Sequence, residues 1–416
     1  STLMRSSAAS DVYKRQMDEI IERIIEELID QTPIWNYDGH IVTANAAPLQ
    51  MKEGFVTNEE LMKFSEKERP MCTGRLIKKD ISAEAYPLIL NTYELFQKES
   101  DPDKKKILYG VFRQGLDIQD LDPVIYAILG MNKNTMGYWL PRIIRAIKLQ
   151  NFFKVPKTTI IKVPLPILQL TRLSYETLNR TTLDIVDRFC KRIFCLDDRK
   201  EYFIKTGTYS SKFDFRNAVV RGEKEVRELG EYLIFIQNYA CMMAGPLVKP
   251  CTYGVSTTNE WVVREFISDI DEPKNPCIYN GLPLHTEYRL FVDFDTKEII
   301  GMNPYWDPDV MKQRFGHEAD ADTPHQKHDY IVYLAHEDRL MSRYHKNKDQ
   351  VREAINRLIQ DVDDIQGQWS IDVMQNGEDF WLIDMASAEL SALKECIPAG
   401  KLKSTEEKWL PDFSRI

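Results

Sequence analysis

Apolar residues follow two rhythms along this chain, and the rhythm changes near residue 150. Before that point they recur at three- and four-residue spacing. Ile20, Ile21, Ile24, Ile25, Leu28 and Ile29 make one stripe of an amphipathic helix that opens at Met17. Glu59–Phe64 and Ala83–Gln97 continue the pattern, and a charged break at Asp101–Lys106 interrupts it. Apolar runs at Val124–Leu129 and Pro141–Leu149 then resume it. Residues 1–16 carry neither period, are rich in Ser and Ala, and read as a non-native leader ahead of a start at Met17. Residues 17–150 are therefore expected to form a mainly helical N-terminal region.

Beyond 150 the period shortens to two. Phe152 to Ile161 is β-rich and broken by Pro156, a helix is predicted over Leu183–Phe194, and strands are predicted at Tyr202–Thr206, Trp261–Ile267, Glu287–Phe294, Ile299–Pro304, Trp369–Met374 and Phe380–Met385. Asp295-Thr296-Lys297 joins the middle pair as a hairpin, and Asn376-Gly377, a strong hairpin signal, joins the last. A long helix over Arg339–Val362 buries Val351, Ile355, Leu358, Ile359 and Val362. Strands mixed with helices and hairpins predict an α+β domain over 151–400 with a short tail at 401–416.

Composition narrows the function classes. In 416 residues, 55 Lys and Arg face 64 Asp and Glu, a net charge of −9, and no basic stripe suits a duplex DNA binder. No apolar run is long enough to span a bilayer, so no membrane role is expected. The seven cysteines are scattered without a C-x-x-C pair, as in a reduced cytoplasmic protein. Neither G-x-x-x-x-G-K-[ST] nor G-x-G-x-x-G occurs, so any nucleotide must be held by another device.

Four segments carry candidate chemistry. In Lys205-Thr206-Gly207-Thr208-Tyr209-Ser210-Ser211-Lys212 a strand ends in a lysine and enters a small hydroxyl-rich loop; this is either a phosphate cradle built of backbone N–H groups or a polar turn. Arg264 interrupts the apolar strand Trp261–Ile267 and requires a partner, either a phosphate or a carboxylate such as Glu265. Alternation over Glu287–Phe294 puts Glu287, Arg289 and Asp293 on one face, where Arg289 meets either a transferring phosphoryl group or a cross-strand carboxylate. Asp372 and Asp384 each sit inside an apolar strand of the last hairpin. Two such carboxylates repel unless a cation such as Mg²⁺ lies between them. An even loop centred on Asn376-Gly377 would put them on opposite faces, so a shared metal site demands an odd loop or a bulge at Gly377. The polar stretch His317–His328 fits no standard zinc spacing and reads as a loop, and Tyr305-Trp306 reads as core or rim.

Taken in order, "VPKTTII", "YFIKTGTYSSKF", "WVVREFI", "EYRLFV" and "SIDVMQNGEDFWLIDMA" resemble the ATP-grasp superfamily. They look most like the cell-division-cycle protein 123 family and the phage-associated clade named for two arginines and one lysine. The resemblance covers about 150–395 and implies two lobes with antiparallel sheets closing on ATP and Mg²⁺. It implies that Lys205, Arg264 and Arg289 act on the transferred group. Lys157, Lys205, Thr206, Gly207, Thr208, Ser210 and Ser211 would hold phosphate under a flexible lid, with Glu265, Phe266 and Ile267 forming the adenine hinge. Asp372 and Asp384 would bind the metal. The family continues that last strand as Asp-x-Asn, whereas Asp384 is followed here by Met385-Ala386, leaving Ser387 or Glu389 as the substitute ligand. The implied activity joins a small-molecule or peptide carboxylate to an amine or thiol through an acyl phosphate, with ATP converted to ADP. The alternatives are an ATP-binding assembly factor that docks a protein through 17–150, and a kinase acting on a hydroxyl.

Overall fold

A computed structural model describes residues 21–30, 32–38, 41–44, 132–170, 180–244, 258–316 and 326–403, with a few short pieces between them. The leader, the helical runs expected at 59–64 and 83–97, the charged break after 101, and the stretch 317–325 lie outside these residues, as does most of the docking surface expected on 17–150.

The architecture is α+β, built on two sheets. The first sheet has six strands in the order β2-β1-β4-β9-β5-β6. These are β1 (Ile34–Asp38), β2 (Ile41–Ala44), β4 (Thr158–Lys162), β5 (Tyr202–Thr206), β6 (Val219–Val220) and β9 (Glu260–Glu265). The second has five strands in the order β13-β12-β14-β15-β3. They are β3 (Phe153–Lys154), β12 (Thr286–Asp293), β13 (Glu298–Pro304), β14 (Gln368–Asn376) and β15 (Asp379–Ser387). Two ribbons complete the strands, β7 (Cys251–Thr252) with β8 (Val255–Ser256), and β10 (Cys277–Ile278) with β11 (Leu282–Pro283). Pairing in the first sheet is antiparallel throughout; in the second, β3 alone runs parallel to its neighbour β15.

Alternation assigns each strand its two sides. On β9, Trp261 and Val263 join the core made with Ile21, Ile24, Ile25 and Leu28 of the N-terminal helix, α3 (Arg180–Ile193) and α5 (Leu229–Ala244). Val262, on the opposite side, joins a second core in which α1 (Met136–Gln150) is wedged between the two sheets. Trp139, Leu140 and Ile143 of α1 pack there with Leu290, Ile371, Leu382 and the C-terminal half of α7 (Lys327–Gln360). Short helices α2 (Leu165–Leu170), α4 (Gly222–Arg227) and α6 (Pro308–Gly316) fill the remaining connections. No helix among the described residues is long and apolar enough to cross a membrane.

The structure differs from the expected pattern at two places. Ile34–Asp38 and Ile41–Ala44 form an antiparallel pair of strands inside the region read as helical, and β1 also pairs with β4, so tertiary pairing decides the state of "IWNYD". The long helix begins at Lys327 rather than Arg339. Its first turns bury Tyr333 and His336 but leave Ile331 and Leu334 exposed, so apolar and buried positions do not coincide there.

Candidate functional site

The chain crosses between the sheets at Pro156, leaving β3 of one sheet and entering β4 of the other. A cleft with a cavity volume of about 160 Å³ lies at this crossing. Register places the chemistry on its walls. Lys205 lies opposite Val262 in the β5–β9 pairing, and Phe203 lies opposite Arg264, so Phe203, Lys205 and Arg264 share the side of the first sheet that faces the second. All three line the cleft, and the two cations are only 1% and 3% exposed.

The opposing wall is a row of charges across three strands. Arg289 of β12 pairs directly with Asp372 of β14, which pairs directly with Asp384 of β15. The carboxylates share a face because β15 carries a bulge. The loop of the hairpin is the even pair Gly377-Glu378, with Gly377 at φ +62°, a conformation for which hairpins favour glycine. A regular ladder would then set Asp372 against Ile383. The register instead slips between Asp372 and Val373, leaving Ile383 as the extra residue and bringing Asp384 opposite Asp372. The required irregularity thus lies at Ile383 and not at Gly377. The slip also switches the buried parity of β15, from Phe380 and Leu382 to Met385.

Each carboxylate has its own cation. Arg289 grips Asp372 with Nε to Oδ1 at 2.8 Å and Nη2 to Oδ2 at 2.6 Å, and donates from Nη1 to the Ala392 carbonyl at 3.1 Å. Burial works against its charge, but the Asp372 carboxylate outweighs burial and holds its pKa above the ordinary value. Lys205 reaches from the other sheet to both oxygens of Asp384, at 3.1 and 3.0 Å. Arg264 is different. Its Nε donates to Thr158 Oγ1 at 3.1 Å and its Nη1 to the carbonyl of the bulged Ile383 at 2.7 Å, while Nη2 is buried with no partner. Desolvation pulls its pKa down to about 10, against the raising effect of Asp384. A buried cation with a free donor on a cleft wall is suited to an anion.

Other predicted residues are placed otherwise. The Thr206–Ser211 loop is a closed turn. Thr206 Oγ1 accepts from Tyr209 N at 2.9 Å and Thr208 N at 3.3 Å, and Gly207 N donates to the Glu260 carbonyl at 3.0 Å. Those N–H groups are spent within the fold, and Ser210 is the one residue between Lys205 and Lys212 that lines the cleft. Gly207 is required by packing: a Cβ there would run into Thr135 Oγ1 and the Glu260 carboxylate, which bind the start of α1. Thr206, Gly207, Thr208 and Ser211, expected to cradle phosphate, do not line the cleft. Arg289 does not line the cleft either; it holds Asp372. Lys157 is also absent from the lining, and its carbonyl accepts from Glu265 N at 2.8 Å.

At the expected hinge, Glu265, Phe266 and Ile267 all line the cleft. The N–H groups of Glu265 and Phe266 already donate to the Lys157 and Glu201 carbonyls, so these two cannot receive a base edge. Glu389 sits in a short 3-10 helix outside the lining, and its carbonyl accepts from Lys394. On β15, Ala386 lies two residues beyond Asp384, on the same face, opposite Ser370.

Sequence reasoning assigned no role to Glu287, Lys212, Tyr305, Trp306 or His285, which also line the cleft. The signal for Glu287 was present in its alternation with Arg289. Burial, then the nearby Asp372 charge, pushes its carboxyl up to about 8. Asp269, Asp271 and His285 form the nearest approach to a metal cluster among the described residues. Their atoms are already engaged: Asp271 accepts from Arg343 at 2.8 Å and from Gly377 N at 2.8 Å, and Asn275 Nδ2 bridges Asp269, Asp271 and His285. This network fastens residues 269–275 to the hairpin.

No family profile matches the sequence, and no curated protein matches it. Among solved structures the chain is similar to Cdc123 from Schizosaccharomyces pombe, at 13% identity and a TM-score of 0.36 over 66% of this chain and 95% of that one. It is likewise similar to a C-terminally truncated Cdc123 from the same organism, at 14% identity and a TM-score of 0.35 over 62% of this chain and 86% of that one.

Proposed function

We propose that the cleft binds ATP with Mg²⁺ between its two sheets, as ATP-grasp proteins do, and transfers the γ-phosphoryl group to a carboxylate that is then joined to an amine or thiol. The observation that carries the reading is the unpartnered Nη2 of Arg264, buried on a wall shared with Lys205 and facing two carboxylates on a bulged hairpin. The donor set suits the ligand. Lysine and arginine bind phosphate oxygens, and two carboxylates with phosphate oxygens and water are a usual magnesium environment. Asp372 and Asp384 would hold the ion, which would supply charge neutralisation at the phosphates.

The residues of the chain act mainly by position and charge. Phe203, Phe215, Phe266, Leu282 and Met374 give the cleft an apolar wall for a base. Lys205 and Arg264 stabilise charge on the transferred group, and Arg289 fixes Asp372. The acceptor carboxylate attacks the γ-phosphorus, ADP leaves, and the amine or thiol then displaces phosphate from the acyl phosphate.

A second reading, ATP binding without turnover, is favoured by Ala386, which puts a methyl group where the resembling family has a ligand. Titration calorimetry with Mg·ATP, followed by mass spectrometry of products after incubation with cell extract, tests both. The ligase reading expects binding and ADP with an amide or thioester, and the binding-only reading expects binding without products. AMP as product, or no binding, refutes both readings.

A further inference from the structure

A third cation faces the cleft beyond the two that the nucleotide reading uses. Ser211, with a left-handed backbone at φ 49°, turns the chain out of the closed loop into a 3-10 helix over Lys212–Asn217. The Lys212 ammonium is thereby carried toward the second sheet. It donates to Tyr305 Oη and lies 4.8 Å from the centroid of that ring. Among the described residues no carboxylate oxygen comes within 4.0 Å of it.

Tyr305 is a fixed receiver. Its N–H donates to the Glu287 carbonyl at 3.0 Å, Arg289 Cζ lies 4.6 Å from its ring, and its neighbour Trp306 donates from Nε1 to the His285 carbonyl at 3.1 Å. These residues belong to an apolar cluster of their own, with Ile278, Leu284 and Tyr333. The aromatic wall suited to a base, with Phe203, Phe215 and Phe266, belongs to a different cluster. The cleft therefore has two walls of distinct chemistry. Since Tyr305 Oη accepts from Lys212, its own proton is available to donate. An ammonium and a phenolic O–H side by side, with the Glu287 carboxyl interacting with the ammonium only from beyond ion-pair distance, are complementary to one carboxylate ligand.

We propose that Lys212 and Tyr305 form an anion subsite that takes the carboxylate of the acceptor substrate. This rests on the nucleotide reading above for its role, though not for its existence. The two oxygens of the carboxylate meet the Lys212 ammonium and the Tyr305 hydroxyl, and the remainder of the acceptor lies along Trp306 and Glu287.

The probe is succinate, titrated by calorimetry into the full chain with and without saturating Mg²⁺ and a non-hydrolysable ATP analogue. Saturable succinate binding is expected in the wild type. Lys212→Gln and Tyr305→Phe should each weaken it at least tenfold while shifting analogue affinity by less than twofold, with unchanged circular dichroism. Absence of succinate binding by the wild type up to tens of millimolar overturns the proposal, as does equal binding by both variants. A tenfold loss of analogue affinity in Lys212→Gln also overturns it, because the lysine then belongs to the nucleotide. If the wild type binds no analogue, the nucleotide reading falls by itself, and the nucleotide-free titration still decides the subsite.

Discussion

Replacing Arg264 by Met separates what this side chain does for the fold from what it does for a ligand. Desolvation lowers the pKa of the guanidinium to about 10, against more than 12 in water, a difference of roughly 3 kcal/mol that disfavours the charged form in the folded chain. Since the folded value is the lower one, this penalty is complete at every pH below about 10 and is relieved only as pH rises toward the unfolded value. Methionine removes the penalty and also removes two hydrogen bonds, to Thr158 and to the Ile383 carbonyl. Bonds from a charged donor contribute about 1.5–3 kcal/mol each, so the two effects partly cancel. Net stability should fall by no more than about 3 kcal/mol, whereas truncating a paired buried charge costs about 3–5 kcal/mol. Nucleotide affinity behaves differently, because loss of a desolvated charge-assisted contact to phosphate costs about 2–4 kcal/mol, or roughly 30- to 700-fold. Urea melts with and without Mg·ATP read both quantities, since ligand stabilises by RT ln(1 + [L]/Kd). In the absence of ligand the variant should unfold within that margin of the wild type, and it should lose the ligand-induced shift. A fall of more than about 3 kcal/mol with the shift retained would refute the assignment of Nη2 to an anion.

The other predictions address the loop, the buried acid and the missing ligand. Gly207→Ala should destabilise the chain by about 1–3 kcal/mol through its clash with Thr135 and Glu260, and the fraction that folds should bind Mg·ATP with unchanged affinity; a phosphate-cradling glycine would instead lose binding first. Asp187, whose carboxyl desolvation pushes up to about 8, binds a proton in the folded chain that the unfolded chain has lost, so stability should decline from about pH 4 to pH 8 and then level off. Asp187→Asn keeps an acceptor for Glu231 N and should remove roughly 1–3 kcal/mol of that decline, seen as a higher melting temperature than wild type at pH 8.5 and none at pH 4. Ala386→Asn adds an amide oxygen on the face of Asp384, and should tighten Mg²⁺ dependence of nucleotide binding about tenfold, measured by titrating magnesium at fixed ATP; no change would show that the position faces away from the metal.

Much of the second sheet was legible because apolar residues recur along each strand against a large core, even though β12 and β14 are buried along both faces. Glu287–Phe294, Ile299–Pro304, Trp369–Met374 and Phe380–Met385 each fall within one or two residues at their starts of β12 to β15, and the Asp295–Lys297 connection joins the first pair. Asp372 and Asp384 lie on two of these strands, and Lys205 and Arg264 reach the same cleft from β5 and β9 of the first sheet. What alternation does not encode is which backbone groups remain free. "KTGTYSSK" reads as a cradle because its residues are small and polar, yet its N–H groups close on Thr206 Oγ1 and Glu260. Likewise Arg289 is held by Asp372 and lies outside the cleft lining, whereas Lys212 reaches the cleft from a loop whose backbone turn at Ser211 has no signature in side-chain pattern.

The bulge at Ile383 shows how a single extra residue couples the two sheets. In "FWLIDM" the buried positions run Phe380, Leu382 and then Met385, so the core itself demands a slip of one residue before Met385 can be buried. That slip carries Asp384 out of the core and onto the face of Asp372. It also leaves the Ile383 carbonyl outside the regular ladder, where Arg264 of the other sheet donates to it at 2.7 Å. A cation from β9 thus satisfies the defect that aligns the carboxylates of β14 and β15, and Lys205 of β5 caps the second carboxylate across the same gap. Through Lys205, whose ammonium is already engaged by Asp384, occupancy of the site and the contact between the sheets should therefore be linked, whereas Arg264 keeps Nη2 free for an anion.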